Sequence, residues 1–269
     1  MNTFLLIDIT LIGKDCPIPP LANDSRPSWV FPLYDEKSYK VTPLLIALQD
    51  AIASESISHL MQIWNSPRPQ LHASIIHSDF SLAQLGIHLQ QFTYIVTNGG
   101  KMFTFRFADC AVLSCLPDLL TSEQWQAMTK PVARWAIHGR DGKLRDLPLT
   151  DSAVEASEIP LVIEEEQYNS LKDALFPDRL IYQLRRIRPA QMEHHDQNEL
   201  YVLVMEAYSM WRDSGQTDQL LLMDFLLGAI DTEGRILRMI GMNQILATSS
   251  VEAIRMQLKN AISRNSFAA

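Results

Sequence analysis

Seven histidines, three cysteines and 31 acidic side chains give this 269-residue chain material for nucleophilic, acid–base or metal chemistry. Their spacing decides which of these is open. Cys110 follows Asp109 at the start of a helical stretch, where a helix dipole would lower a thiol pKa and make a nucleophile. His59, His72, His77, His88 and His138 are the bases it would need. The plainer reading of Cys110, and the preferred one, is a small buried helix residue. Asp8 and Asp109 offer a carboxylate pair for proton transfer. Nothing local brings them together, and each has a simpler role at a strand or helix end. His194-His195-Asp196 has the composition of a metal cluster, but adjacent histidines point apart and no partner stands four residues on. A site needs three or four converging ligands, so this segment reads as an exposed loop ending in an Asp196 helix cap. Cys16, Cys110 and Cys115 cannot all pair, and the last two lack the second pair of a zinc site. They read as free thiols of a cytosolic protein.

The sequence has no G-x-S-x-G elbow, P-loop, G-x-G-x-x-G, H-E-x-x-H or kinase signature. No enzyme site rises above background, and no catalytic, cofactor-binding or metal-ligating residue is expected. Glu164-Glu165-Glu166 reads as the negative first turn of a helix, favoured by the dipole. The sharper alternative is an acidic docking patch that contacts and steers a basic partner. Arg179, Arg185, Arg186 and Arg188 read as a solvated face paired with nearby acids. A formal net charge of −8 argues against nucleic acid or anionic membrane as a default partner. Residues 1–150 carry 12 basic and 13 acidic side chains, whereas 151–269 carry 11 and 18. That shift suggests two domains, 1–150 and 151–269, the second acidic. The N-terminus lacks a basic leader and Asp8 interrupts its apolar run, so no signal peptide is expected. The apolar stretch 220–230 is broken by Asp224 and falls short of the roughly 20 residues that span a bilayer. A soluble cytoplasmic chain is expected.

The elements that must position these residues change character along the chain. Phe4–Leu11 is an apolar run of strand length, covered on both faces. A Pro-rich loop (Pro17, Pro19, Pro20, Pro27) leads to a short strand at Trp29–Phe31, and Leu44–Leu48 and Leu71–Ile76 read as further strands. Residues 49–64 place Ile52, Leu60, Ile63 and Trp64 at helical spacing. Ser81…Gln84 and Thr121…Gln124 have the capping-box form, so helices start there. Phe92–Val96 and Met102–Phe107 flank Asn98-Gly99-Gly100, a hairpin signal. Asp109 caps the helix that follows, and Pro117 ends or resets it. Val132–His138 is a strand turning at Asp141-Gly142 into Lys143–Leu147. Beyond Pro160 the pattern becomes helical. It gives a helix over 164–188, one using Leu200, Val204, Ala207 and Trp211 behind Asp196, a buried helix over 219–230, and a last one capped by Ser249. The fold expected is α/β (α+β), with an N-terminal mixed-sheet lobe and flanking helices plus an all-helical C-terminal lobe.

One stretch carries a family resemblance. Phe105-Arg106-Phe107-Ala108-Asp109, then Val112-Leu113, Leu116-Pro117 and Glu123-Gln124, resembles the Arg-Phe-x-Asp signature of type VI secretion effector adaptor-chaperones. Pro131-Val132 and Trp135, the Asp141-Gly142 turn, the opening Leu5-Leu6-Ile7-Asp8 and the Ser81-Leu82…His88-Leu89 helix are similar too. Ala108, Cys110 and Lys130 stand where that family has Tyr, Pro and Gly. The resemblance implies a non-catalytic adaptor that binds a toxic effector in the cytoplasm of a Gram-negative bacterium. It would help load that effector onto a VgrG-type spike, with effector and spike as partners. It marks Arg106, Phe107, Asp109, Pro131 and Trp135 as a structural corner. A physical reading of the motif fits a scaffold, with Arg106, opposite the Phe face, paired with Asp109 across the strand–helix junction. The alternatives are an immunity protein that inhibits a toxin and a thiol or carboxylate hydrolase.

Overall fold

The computed structural model describes residues 1–12, 25–34, 41–54, 57–65, 70–149, 160–192, 195–247 and 250–266. The chain divides into two compact units, Met1–Ala174 and Leu175–Ala269. Cys16, three of the loop prolines (Pro17, Pro19, Pro20), His194 and Ser249 lie outside the described residues.

In the first unit, strand β1 (Asn2–Asp8) is buried at every position from Phe4 to Asp8, so both of its faces are covered. The flanking strands are β2 (Val30–Pro32), β3 (Pro43–Ala47) and β4 (Ala73–Ser78), with β7 (Arg134–His138) and β8 (Leu144–Asp146) beyond. They form one six-stranded antiparallel sheet in the order β2-β3-β1-β4-β7-β8. Register puts Leu6 between Leu45 on β3 and Ser74 on β4. The apolar run ends at Asp8, whose Oδ1 accepts from the Thr10 amide at 2.9 Å and starts a 3-10 turn over Ile9–Leu11. The helix expected over 49–64 is two: α1 (Leu48–Ala53) and α2 (Ile57–Trp64). Ser54 closes the first, its amide bonding Asp50 O and its hydroxyl Ala51 O, and Ile52 is exposed.

Helix α3 (Leu82–Gln90) begins at the Ser81–Gln84 capping box. Strands β5 (Tyr94–Thr97) and β6 (Met102–Thr104) form the hairpin, with Gly100 at φ 73° in its turn. Helices α4 (Cys110–Leu113), α5 (Leu116–Leu119) and α6 (Ser122–Thr129) follow, α4 capped by Asp109 and α6 by the Thr121–Gln124 box. A strand absent from the sequence reading, β9 (Leu161–Ile163), pairs in parallel with β5, giving a second sheet ordered β6-β5-β9. Residues 151–269 are therefore not all helical. Three residues are too few for alternation to register, although Leu161 and Ile163 are buried and Val162 is exposed. Helix α7 (Glu165–Ile187) follows, and its first turns also belong to this unit: Gln167 Nε2 donates to Leu119 O and Gln124 Oε1, and Tyr168 stacks on Phe103. The contacts thus divide the chain inside α7, whereas the charge shift lies near 150.

The second unit holds the rest of α7, then α8 (Pro189–Met192), α9 (Gln197–Asp213), α10 (Gln219–Asp231), α11 (Met242–Leu246) and α12 (Val251–Ser266). Leu200, Val204, Ala207 and Trp211 form the buried stripe of α9, packed with Phe225, Leu226, Leu258 and Leu184. Asp196 caps α9 by accepting from Asn198 and Glu199 amides. The cap of α12 is Ser250, whose hydroxyl accepts from the Ala253 amide at 3.3 Å. Short elements at 189–192, 235–238 and 242–246 are too brief to leave a periodic signal. Gly234 and Gly241, at φ 76° and 87°, make the turns that open the last two.

Candidate functional site

A polar cluster forms in the first unit where β6 runs into α4. Beyond Thr104 the chain continues extended, Phe105 N donating to Thr93 O, and then turns so that Asp109 N donates to Arg106 O. This turn projects the Arg106 guanidinium toward the end of β1. Its Nη2 lies 2.7 Å from Asp8 Oδ2, 2.9 Å from Thr10 Oγ1 and 3.7 Å from Asp109 Oδ2. The expected pairing with Asp109 is present but long. The closer partner is Asp8, 98 residues away in sequence. One cation therefore joins the two carboxylates that no local pattern connected.

Each carboxylate oxygen in this cluster is already engaged. Asp8 Oδ1 accepts from the Thr10 amide and hydroxyl, and Asp109 Oδ1 from the Ala111 amide at 2.9 Å. The second oxygen of each faces Arg106. Burial works against the charge on Arg106, yet Asp8 and Asp109 outweigh it and its pKa is raised. Tyr34 borders the cluster, its phenol pushed up to about 12 by burial first and by the Asp8 charge second. Both groups hold one protonation state across the physiological range. Such an arrangement fixes the end of β1 against the start of α4, and its oxygens serve as acceptors rather than as a free base.

Phe107 belongs to the same corner, fully buried with its ring 6.1 Å from that of Phe105. Pro131 and Trp135 act elsewhere, along the β4–β7 seam. Pro131 O accepts from Ser78 Oγ, while Trp135 Nε1 donates to Ser74 Oγ at 3.0 Å and its ring stacks on Trp125. Cys110 is fully buried, its thiol donating to Ala73 O at 3.2 Å. Burial pushes that thiol up to about 12, the reverse of an activated nucleophile. The four candidate histidines with described side chains are bound into the fold. His72 Nε2 donates to Ile63 O at 2.7 Å, His88 Nε2 to Met128 O at 3.0 Å, His138 Nδ1 lies 3.3 Å from Ala73 O, and His77 Nδ1 lies 3.3 Å from Thr3 Oγ1. The His59 side chain is outside the described set. Among the described residues no group of three or more His, Cys, Asp or Glu is placed to hold a metal.

Glu164 precedes α7, its amide donating to Gln167 Oε1 at 2.9 Å and its carboxylate accepting from the Asn98 side chain of the hairpin turn. Glu165 and Glu166 lie exposed in the first turn. Of the arginines on α7 and just after it, Arg188 pairs with Asp231 at 3.2 Å and Arg186 lies over the Tyr182 ring. In the second unit a shallow cleft has Leu227, Leu258 and Ile262 on its floor, and its rim ion pairs Arg188–Asp231 and Arg255–Asp224 offset one another. No helix among the described residues is long and apolar enough to cross a membrane.

A family model described as a domain of unknown function (DUF4123) matches residues 3–127. The matched stretch contains β1 from Thr3 onward, with Asp8, Arg106, Asp109 and α4, and it ends before Pro131 and Trp135. No curated protein matches the chain, and no solved structure does.

Proposed function

We propose that this protein is a non-catalytic adaptor-chaperone of type VI secretion, which binds a toxic effector in the cytoplasm and helps load it onto a VgrG-type spike. The observation that carries the reading is that the matched stretch, 3–127, contains the whole Arg106–Asp8–Asp109 corner. The residues that resemble the adaptor signature are thus spent on holding one strand to one helix. A common platform needs such a corner; a hydrolase would need a nucleophile, a base and an orienting group in reach of substrate. The buried, protonated Cys110 favours the same reading over a thiol hydrolase. The exposed Glu165 and Glu166, with the acid excess of residues 151–269, would steer a basic effector segment.

The reading is tested by affinity purification of the tagged chain from its native cells at two salt concentrations, with mass spectrometry and a toxicity assay on the eluate. An adaptor brings down a spike protein and a toxin that is active once released. Recovery of a toxin alone, with its activity abolished, would instead identify an immunity protein.

A further inference from the structure

Among the described residues, two sheets give the first unit four edges, and three of them are closed to further pairing by an identifiable device. Edge β2 ends in Pro32, which has no amide to offer. Edge β8 is Leu144-Arg145-Asp146, with ion pairs Arg145–Asp141 at 2.6 Å and Arg134–Asp146 at 2.8 Å along it. Edge β9 is occupied by a side chain, since Gln124 Nε2 donates to Val162 O at 2.7 Å. Edge β6 is Met102-Phe103-Thr104, with no charge, no proline and, among the described residues, no such cover.

The register fixes what this edge presents. Thr97 N donates to Lys101 O and Phe105 N to Thr93 O, so alternation makes Ile95–Phe103 the bonded pair between them. The backbone N–H and C=O of Met102 and Thr104 therefore point away from β5. On the sheet's open face Val162, Val96 and Met102 lie side by side, with Tyr94 and Thr104 next in line and Tyr34 stacked on Tyr94. Met102 is 65% exposed and Val162 44%. Lys101, with no ion pair among the described residues, stands exposed at the start of the strand.

We infer that β6 is a docking edge for an extended segment of the effector, which adds as a further strand beside Met102–Thr104. The segment carries apolar residues at alternate positions, continuing the Val162–Val96–Met102 row, and an acidic residue at the end nearest Lys101. Outward main-chain donors and acceptors at every second residue are matched by another strand, and the apolar row selects its side chains. This inference rests on the adaptor reading for the identity of the partner.

The test uses the full chain and a phage-displayed library of random nonapeptides. Enriched peptides should show the alternation with an acidic end, slow amide exchange at Met102 and Thr104, and bind Thr104→Pro and Met102→Lys roughly tenfold more weakly, the first through a lost edge hydrogen bond and the second through a charge in the apolar row. Proline with an outward amide is tolerated at an edge, so Thr104→Pro should fold, and Met102→Lys alters only an exposed side chain. Absence of enrichment on the wild type over the variants, or equal binding to all three, would overturn the inference. So would effector recovery from native cells that is unchanged by both variants, with the adaptor reading left standing. Recovery of neither effector nor spike with the wild-type chain would overturn the adaptor reading itself.

Discussion

Asp8 is the residue whose environment is least forgiving. Its side chain is 3% exposed, and the cation that offsets it, Arg106, is 45% exposed. Removing the cation leaves a buried carboxylate facing only hydroxyl and amide donors. Arg106→Ala should therefore cost about 1–3 kcal/mol in urea unfolding, below the range for fully buried pairs because the arginine is half in water. Asp109→Asn should cost less, since its contact with Arg106 is 3.7 Å. An Arg106→Ala chain with wild-type stability and partner binding would remove the corner from the account. Two histidines set a pH dependence. Burial lowers the pKa of both His72 and His88, in each case against a carbonyl hydrogen bond that raises it. The unfolded chain then binds more protons than the folded one as pH falls through the ordinary histidine value of about 6.5. Stability is full above that value and is lost toward the depressed folded pKa. The urea midpoint should fall between pH 7.5 and 5.5, and His72→Gln, which cannot titrate, should flatten that slope.

At the scale of elements, close approach is built by absent side chains. A Cβ on Gly228 of α10 would meet Ile262 Cδ1 of α12 at 2.5 Å and Cγ1 at 2.9 Å. Gly228→Ala should destabilise the chain by about 1–3 kcal/mol despite the better helix propensity of alanine. Combined with Ile262→Ala it should cost less than the sum of the two, as a double-mutant cycle of melts would measure. The elements legible in the sequence are those whose signal is local. Ser81, Asp109, Thr121 and Asp196 each cap the helix their spacing announced, and the Asn98-Gly99-Gly100 turn closes the expected hairpin. What escaped is non-local or short. Strand β9 has three residues and finds its partner, β5, some 66 positions earlier. The Asp8–Arg106 pair spans 98 residues, and its only local trace was a charge ending an apolar strand. Cys110 is the small buried helix residue its sequence favours: complete burial in a four-residue helix raises its thiol pKa, the opposite of activation.

Over the whole molecule, charge and sequence signature separate. The signature residues lie in residues 1–150, where 12 basic and 13 acidic side chains nearly balance. The acid excess lies in 151–269, and part of it is internally offset by Arg188–Asp231 and Arg255–Asp224. On the adaptor reading, the near-neutral part is the common platform and the acidic part steers a basic cargo, so cargo affinity should weaken with salt as exposed charges are screened over about 10 Å at 0.1 M. A titration calorimetry series from 50 to 300 mM salt checks this; an affinity flat across the series would remove the steering role. The central claim concerns delivery, and it is tested most directly by secretion. In cells lacking this protein, the effector should disappear from the culture supernatant and return when the wild-type chain is supplied, the chain itself staying in the cell pellet. Unchanged effector secretion in its absence would contradict the account.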